Sequence, residues 1–246
     1  MELNFIYAYG LVIIALIYSY FKNYGLEKEI FIGSIRAFIQ LLLLGFMLLY
    51  LFSLETLSGV LAIFVVMLGF ASYVARGRVR LSRYSFFVPF ASIGISSFFV
   101  LITLFITGAI ALIPQEAIPM TGLVIGNALN IYTLCMDRLK KETEMKIGEI
   151  EGKLSLGVNL EESMRDIVKS SIKSSLIPIL NNLQAIGLVF IPGIMTGMIM
   201  AGVSPLVALS YQLVIIYTLV GVALFSAISS TKLGYRFVFM KKDELV

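Results

Sequence analysis

Apolar residues along the 246-residue chain gather in long unbroken runs. They do not alternate at every second position, as a half-buried strand would require. A helix needs about 20 mostly apolar residues to cross a hydrocarbon core ~30 Å thick. Seven runs are of that kind: 3–21, 35–52, 57–75, 86–107, 118–136, 177–200 and 205–228. They are too continuous for the alternating segments of about ten residues that build an outer-membrane barrel. The pattern predicts an all-α, polytopic membrane protein with about seven transmembrane helices, forming a single domain over residues 1–246. The first run lacks a basic leading segment and a small-residue cleavage site, so it reads as a retained helix and not as a signal peptide.

The polar positions orient these spans. Arg76, Arg78, Arg80 and Arg83 crowd the third connection, and Lys232, Arg236, Lys241 and Lys242 follow the last run. Between them, the one long polar segment, 137–175, holds eight acids and eight bases. Basic residues favour the cytosolic side. Seven spans bring these regions together, with Lys22 and Lys28, if the N-terminus lies outside and the C-terminus inside. The opposite side then carries Glu2, Glu55 and Glu116 and no lysine or arginine. The expected location is the cell (inner) membrane, with a cytosolic C-terminus and the arginine cluster as an anchor at the lipid headgroups. Within the polar segment, Asn159 followed by Glu162 fits a capping box with asparagine in place of serine. Leu160, Met164, Ile167, Val168 and Ile172 then fall on one helical stripe. Such a cytosolic amphipathic helix can lie on headgroups or dock a partner.

Composition removes other classes. The chain is 59% hydrophobic and 14% charged, with a mean hydropathy of +0.96. A soluble domain carries roughly 25% charged residues. One cysteine, Cys135, allows no internal disulfide, and no histidine offers a general base or metal ligand. The net charge of +4 divides unequally, with 19 bases and 12 acids on the inner face of the expected topology. It therefore speaks of orientation, and no nucleic-acid partner is expected.

No catalytic constellation is present, and the chain is not expected to be an enzyme or to hold a cofactor. Gly148–Lys153 comes nearest to a phosphate loop. It has three residues between its glycines instead of four, and Leu154 where serine or threonine would hold magnesium. The informative feature is an internal echo. IPMTGLVIGNALN (118–130) and IPGIMTGMIMAG (191–202) both carry Met-Thr-Gly close after Ile-Pro, as Met120-Thr121-Gly122 and Met195-Thr196-Gly197. Both also carry a pair of glycines four apart, Gly122/Gly126 and Gly193/Gly197, the spacing at which helices approach closely in lipid. Two readings stay open here: tight helix packing, including at a dimer interface, or a helix break lining a translocation path.

Amides inside the runs favour a path. Asn127 and Asn130 share a face of the fifth, Asn181, Asn182 and Gln184 lie in the sixth, and Gln212 lies in the seventh. Arg36 and Gln40 open the second, with Arg36 near enough to the surface to snorkel. No carboxylate sits deep in a span, so the driving energy is expected from outside this chain. Met120, Met195, Met198 and Met200 raise soft-metal ligation as one possibility and ordinary helix packing as another.

IPMTGLVIGNALN, EIEGKLSLGV (149–158) and PGIMTGMIMAGVSPLVALSYQ (192–212) together resemble the signatures of the FetB-type permeases. These are membrane subunits of ABC transporters, described as bacterial iron exporters and related to plant aluminium-tolerance subunits. The resemblance runs from about Arg36 to Leu224 and keeps the order of motifs. It implies a permease, as a homodimer in the lipid bilayer, powered by a separate cytosolic ATPase. It also implies a coupling element at Glu149, Glu151, Gly152, Leu156 and Gly157. Met120, Thr121, Asn127, Asn130, Asn181, Asn182, Met195, Thr196 and Gln212 are the candidate substrate path. Two other functions fit the same residues: an ABC permease for an organic solute such as a nucleotide sugar or lipid, and a non-transporting membrane scaffold.

Overall fold

The computed structural model describes residues 4–51, 57–79 and 86–240. Glu2, Glu55, Arg80, Arg83, Lys241 and Lys242, used above for orientation, lie outside them. Ten helices are formed among the described residues, and no strand. The chain divides into two compact units, Met1–Glu55 and Thr56–Val246.

The first unit is a helical hairpin, α1 (Asn4–Lys22) and α2 (Glu27–Leu51). Its short turn uses positive φ at Asn23 and Gly25. It is closed by the Ser19 hydroxyl, which donates to Glu27 Oε1 at 2.7 Å. The second helix starts two turns before the apolar run at 35–52, so Arg36 stands well inside α2 and not at its opening.

The second unit contains α3 (Leu57–Arg78), α4 (Phe87–Ile106), α5 (Pro114–Met145), α6 (Ile147–Ser155), α7 (Leu160–Ser163), α8 (Arg165–Ala185), α9 (Gly193–Met200) and α10 (Pro205–Met240). Five helices of the described chain are long and apolar enough to cross a membrane: α2 to α5 and α10. At 1.5 Å per residue, the 32 residues of α5 reach about 48 Å, well beyond a ~30 Å hydrocarbon core. The fifth apolar run therefore continues without a break into the charged stretch Asp137–Met145. Pro114 opens this helix in its first turn, where the missing N–H costs nothing. Glu116 then folds back to accept from the Ala111 backbone N–H at 2.8 Å.

The sixth run, expected as one helix over 177–200, is broken. Its first part is the end of α8, which begins in the polar segment at Arg165. The chain then turns through Gly187, at φ +82°, and resumes as the eight-residue α9. Gly187 takes a conformation that other residues rarely adopt. Pro192, which has no N–H and cannot continue a helix from its N-terminal side, forms the N-cap of α9. The two Ile-Pro motifs thus differ in structure, because Pro119 sits inside the continuous helix α5.

Helices α4, α5 and α10 are joined at close range. The Ser229 hydroxyl donates to the Ser92 carbonyl at 3.0 Å, and the Ser226 hydroxyl donates to the Ala128 carbonyl at 3.0 Å. Gly234 faces Met136 and Val88. The start of α4, the outgoing half of α5 and the last third of α10 therefore share one end of the unit, which brings Lys232 and Arg236 to the same end as the charged tip of α5. The stripe Leu160, Met164, Ile167, Val168 and Ile172 faces inward and packs on two apolar clusters of this unit. It covers protein, where the sequence also allowed headgroups or a partner. The reason is that α8 continues straight into the apolar region, so one face serves both halves.

A Cβ at Gly234 would stand 2.7 Å from the Met136 sulfur. Gly234→Leu should destabilise the detergent-solubilised protein by about 1–3 kcal/mol, the usual cost of overpacking a core. Adding Met136→Ala should recover most of that loss in a thermal unfolding assay.

Candidate functional site

The antiparallel pair α5 and α8 carries most of the polar groups predicted in the sequence. One hydrogen bond and an apolar seam fix its register. Ser170 of α8 donates to Glu142 of α5 at 2.9 Å, and Cys135 of α5 is buried further along the same pair. Ile131 and Ile179 extend the same seam. Asn130 lies twelve residues before Glu142, and Asn182 lies twelve residues after Ser170, so the two stand level, each about 18 Å along its helix from the Glu142–Ser170 contact. Asn181 lies between Ile179 and Leu183, two residues from each, and so turns away from the apolar seam that those two share with Ile131.

Asn130, Asn181, Asn182 and Gln184 are nevertheless exposed, and their carboxamides make no side-chain hydrogen bond among the described residues. Asn127 is half-buried and turned back on its own helix, donating to the Leu123 carbonyl at 2.9 Å. The structure thus brings Asn130, Asn181 and Asn182 to one height on two neighbouring helices and leaves them unpaired.

The remaining predicted positions fall elsewhere. Thr121 is buried, and Gly122 beside it approaches Met67 of α3. Met120 packs partly on the main apolar cluster. In contrast, α9 buries none of its residues, so Met195 and Thr196 lie on an open element, and the Thr196 hydroxyl is satisfied by the Pro192 carbonyl at 3.1 Å. The first Met-Thr-Gly lies within a packed helix, whereas the second lies on a short helix that touches α10 and buries none of its residues fully. Gln212 is 6% exposed on α10, and its Oε1 accepts no hydrogen bond. Among the described residues, no group of three or more His, Cys, Asp or Glu side chains is placed to hold a metal ion.

A second distinctive surface lies at the polar end, in the connection from α5 to α8. Helix α6 is anchored by the buried Ile150, and Glu149 and Glu151 face outward. The Lys153 ammonium donates to Glu149 at 2.7 Å, which holds the Glu149 carboxyl below its ordinary range and raises Lys153. The pair is therefore present at neutral pH, and is lost as pH falls through the lowered value of Glu149 or rises through the raised value of Lys153. After α6 the chain reverses at Gly157, φ +85°, and leaves Leu156 84% exposed. The Asn159 side chain caps α7 by accepting from the Glu162 N–H at 2.8 Å, as its spacing predicts. Glu162 itself pairs with Arg165.

Glu142 and Ser170 were not singled out by sequence reasoning. They are 28 residues apart, and only the i,i+4 spacing of Arg138 and Glu142 is visible along the chain.

A multi-pass helical membrane protein with unpaired amides on two adjacent helices and a projecting polar turn is the class that these features define. A family model, "Uncharacterised protein family (UPF0014)", matches residues 2–239, and the chain belongs to that family. It is 32% identical over 236 residues to "Probable iron export permease protein FetB" of Escherichia coli, covering 96% of this chain and 91% of that one. It is 32% identical over 234 residues to "Protein ALUMINUM SENSITIVE 3" of Arabidopsis thaliana, covering 95% and 86%. It is 34% identical over 237 residues to "UPF0014 membrane protein YjkA" of Bacillus subtilis, covering 95% and 94%. No solved structure matches the chain.

Cys135 is buried and free. It should stay unmodified by a water-soluble maleimide in the folded protein and react once SDS unfolds it, as followed by intact-mass measurement.

Proposed function

We propose that the chain is the membrane-spanning permease subunit of an ABC transporter that exports iron or another metal species. A separate cytosolic ATPase supplies the energy, and two permease chains work together in the cell (inner) membrane, N-terminus outside and C-terminus inside. The observation that carries this reading is the set of unpaired carboxamides Asn130, Asn181 and Asn182, level with one another on α5 and α8. Polar groups at membrane depth are stable only against protein or water, so this face borders a hydrated path or a second copy of the chain. Neutral amides offer hydrogen bonds without a fixed charge, which suits a solvated or chelated metal better than a stripped ion. The name of the Escherichia coli relative supports iron as the cargo.

In this reading the ATPase binds the turn between α6 and α7. Leu156 is an isolated apolar side chain projecting from a charged surface, the pattern of a residue that fills a partner's pocket. Glu149, Glu151, Gly152 and Gly157 surround it and shape the contact. The path then follows the outer side of α5 and α8. Asn127 and Gln212 flank it from within the protein, and the second Met-Thr-Gly, on the open α9, lies beyond the helix break at Pro192.

A maleimide reacts with thiolate, which forms in water and not in hydrocarbon. In a Cys135→Ser background, Asn130→Cys and Asn181→Cys should therefore label at least about tenfold faster in membranes than Ile95→Cys, an exposed apolar position of α4. Equal rates would remove the hydrated path. Leu156→Asp should weaken co-purification of the ATPase at least about tenfold, the effect of losing one anchoring side chain. Metal-stimulated ATP hydrolysis in proteoliposomes, lost in Asn130→Ala, identifies a metal species as the cargo. Indifference to metals points to an organic solute instead.

A further inference from the structure

Glu142 is a carboxylate 4% exposed, in the part of α5 that projects past the apolar region. Its Oε1 accepts from Arg138 Nε at 2.6 Å, one turn back on the same helix, and from the Ser170 hydroxyl of α8 at 2.9 Å. Leu139, Thr143, Ile150, Met164 and Ile167 are all buried in the same region. Parting α5 from α8 would take away the Ser170 donor and leave the carboxylate with Arg138 of its own helix, so the Ser170 hydroxyl is the polar link between the two helices here.

Its position gives it a role. Packing alone does not require a polar contact here, since an apolar pair of similar size would pack as well. The docking turn hangs from α5 at Met145 and returns into α8 at Arg165, so Glu142 and Ser170 stand at the two points where it joins the helices. The amide-bearing parts of α5 and α8 lie about 18 Å beyond, at equal distance on both helices. We propose that Glu142, held by Ser170, is a positioning residue. It is the fulcrum that keeps α5 and α8 together at the polar end, so that movement of the α6–α7 turn is delivered to the pair at the height of Asn130 and Asn181. This rests on the coupling role proposed for that turn. It goes further by naming the joint through which coupling passes and by making the helix ends move as one.

The test uses full-length permease with its ATPase in proteoliposomes, in a Cys135→Ser background carrying Asn181→Cys. The readout is the maleimide labelling rate with and without ATP and vanadate, which trap the closed ATPase. With the joint intact, the nucleotide should change the rate at least about fivefold, the lower range of ordinary allosteric coupling. Ser170→Ala removes only the donor to Glu142. It should abolish that change while the ATPase still co-purifies and hydrolyses ATP. Glu142→Gln, which keeps an acceptor for Ser170, should retain it, an outcome that simple loss of stability would not produce. A nucleotide-dependent change of the original size in Ser170→Ala overturns the fulcrum and leaves the coupling turn standing. If the unsubstituted permease binds no ATPase at all, the coupling reading fails first and the fulcrum falls with it.

Discussion

The architecture of the second unit depends on close approach between helices that have no hydrophobic effect to drive them together. Lipid tails are as apolar as leucine, so association in a bilayer relies on packing and on interhelical hydrogen bonds. Here small residues meet that requirement. Ser92 and Ser229 join α4 to α10, Ser226 joins α10 to the Ala128 carbonyl of α5, and Ala227 accepts the Cys135 thiol at 3.8 Å. Each hydroxyl has its acceptor on a neighbouring backbone, which is possible only because no larger side chain separates the helices. Gly234, with Met136 against it, continues the same logic towards the polar end.

Once α5 is fixed in this seam, much else follows. Its length carries the chain past the apolar region, so the charged residues after Asp137 extend a helix that is already packed. Helix α8 returns along it with Ile131, Cys135 and Ile179 as the shared apolar contact and Glu142–Ser170 as the polar one. The connection between them carries α6 and α7 and leaves Leu156 exposed. The same register leaves Asn130, Asn181 and Asn182 uncovered. The proposed functional surface is thus what remains of α5 and α8 after the packing requirements of the seam have been met.

Several elements were legible in the sequence because their physics is local. The third and fourth spans, expected at 57–75 and 86–107, correspond to α3 and α4 within a few residues, since hydropathy and helix length are properties of adjacent residues. The Asn159 cap formed as its spacing predicts. The sixth span was less legible. Its apolar run is continuous across 186–192, and hydropathy does not register the backbone demands of Gly187 and Pro192. The two Met-Thr-Gly motifs read as a pair because their residues match. Their surroundings do not, since one lies within a packed helix and the other follows a break.

By itself the sequence determined that this is an all-helical membrane protein, where its polar segment lies and which residue types are available at membrane depth. Those follow from composition and from periodicities of three to four residues. Only the tertiary structure decided which amides remain uncovered, that the amphipathic stripe from Leu160 to Ile172 is spent on the protein's own interior, and that Glu142 meets Ser170. The physical reason is that burial and pairing belong to two helices at once. A chain position states what a side chain can do, and the neighbouring helix settles whether that capacity is used or left open.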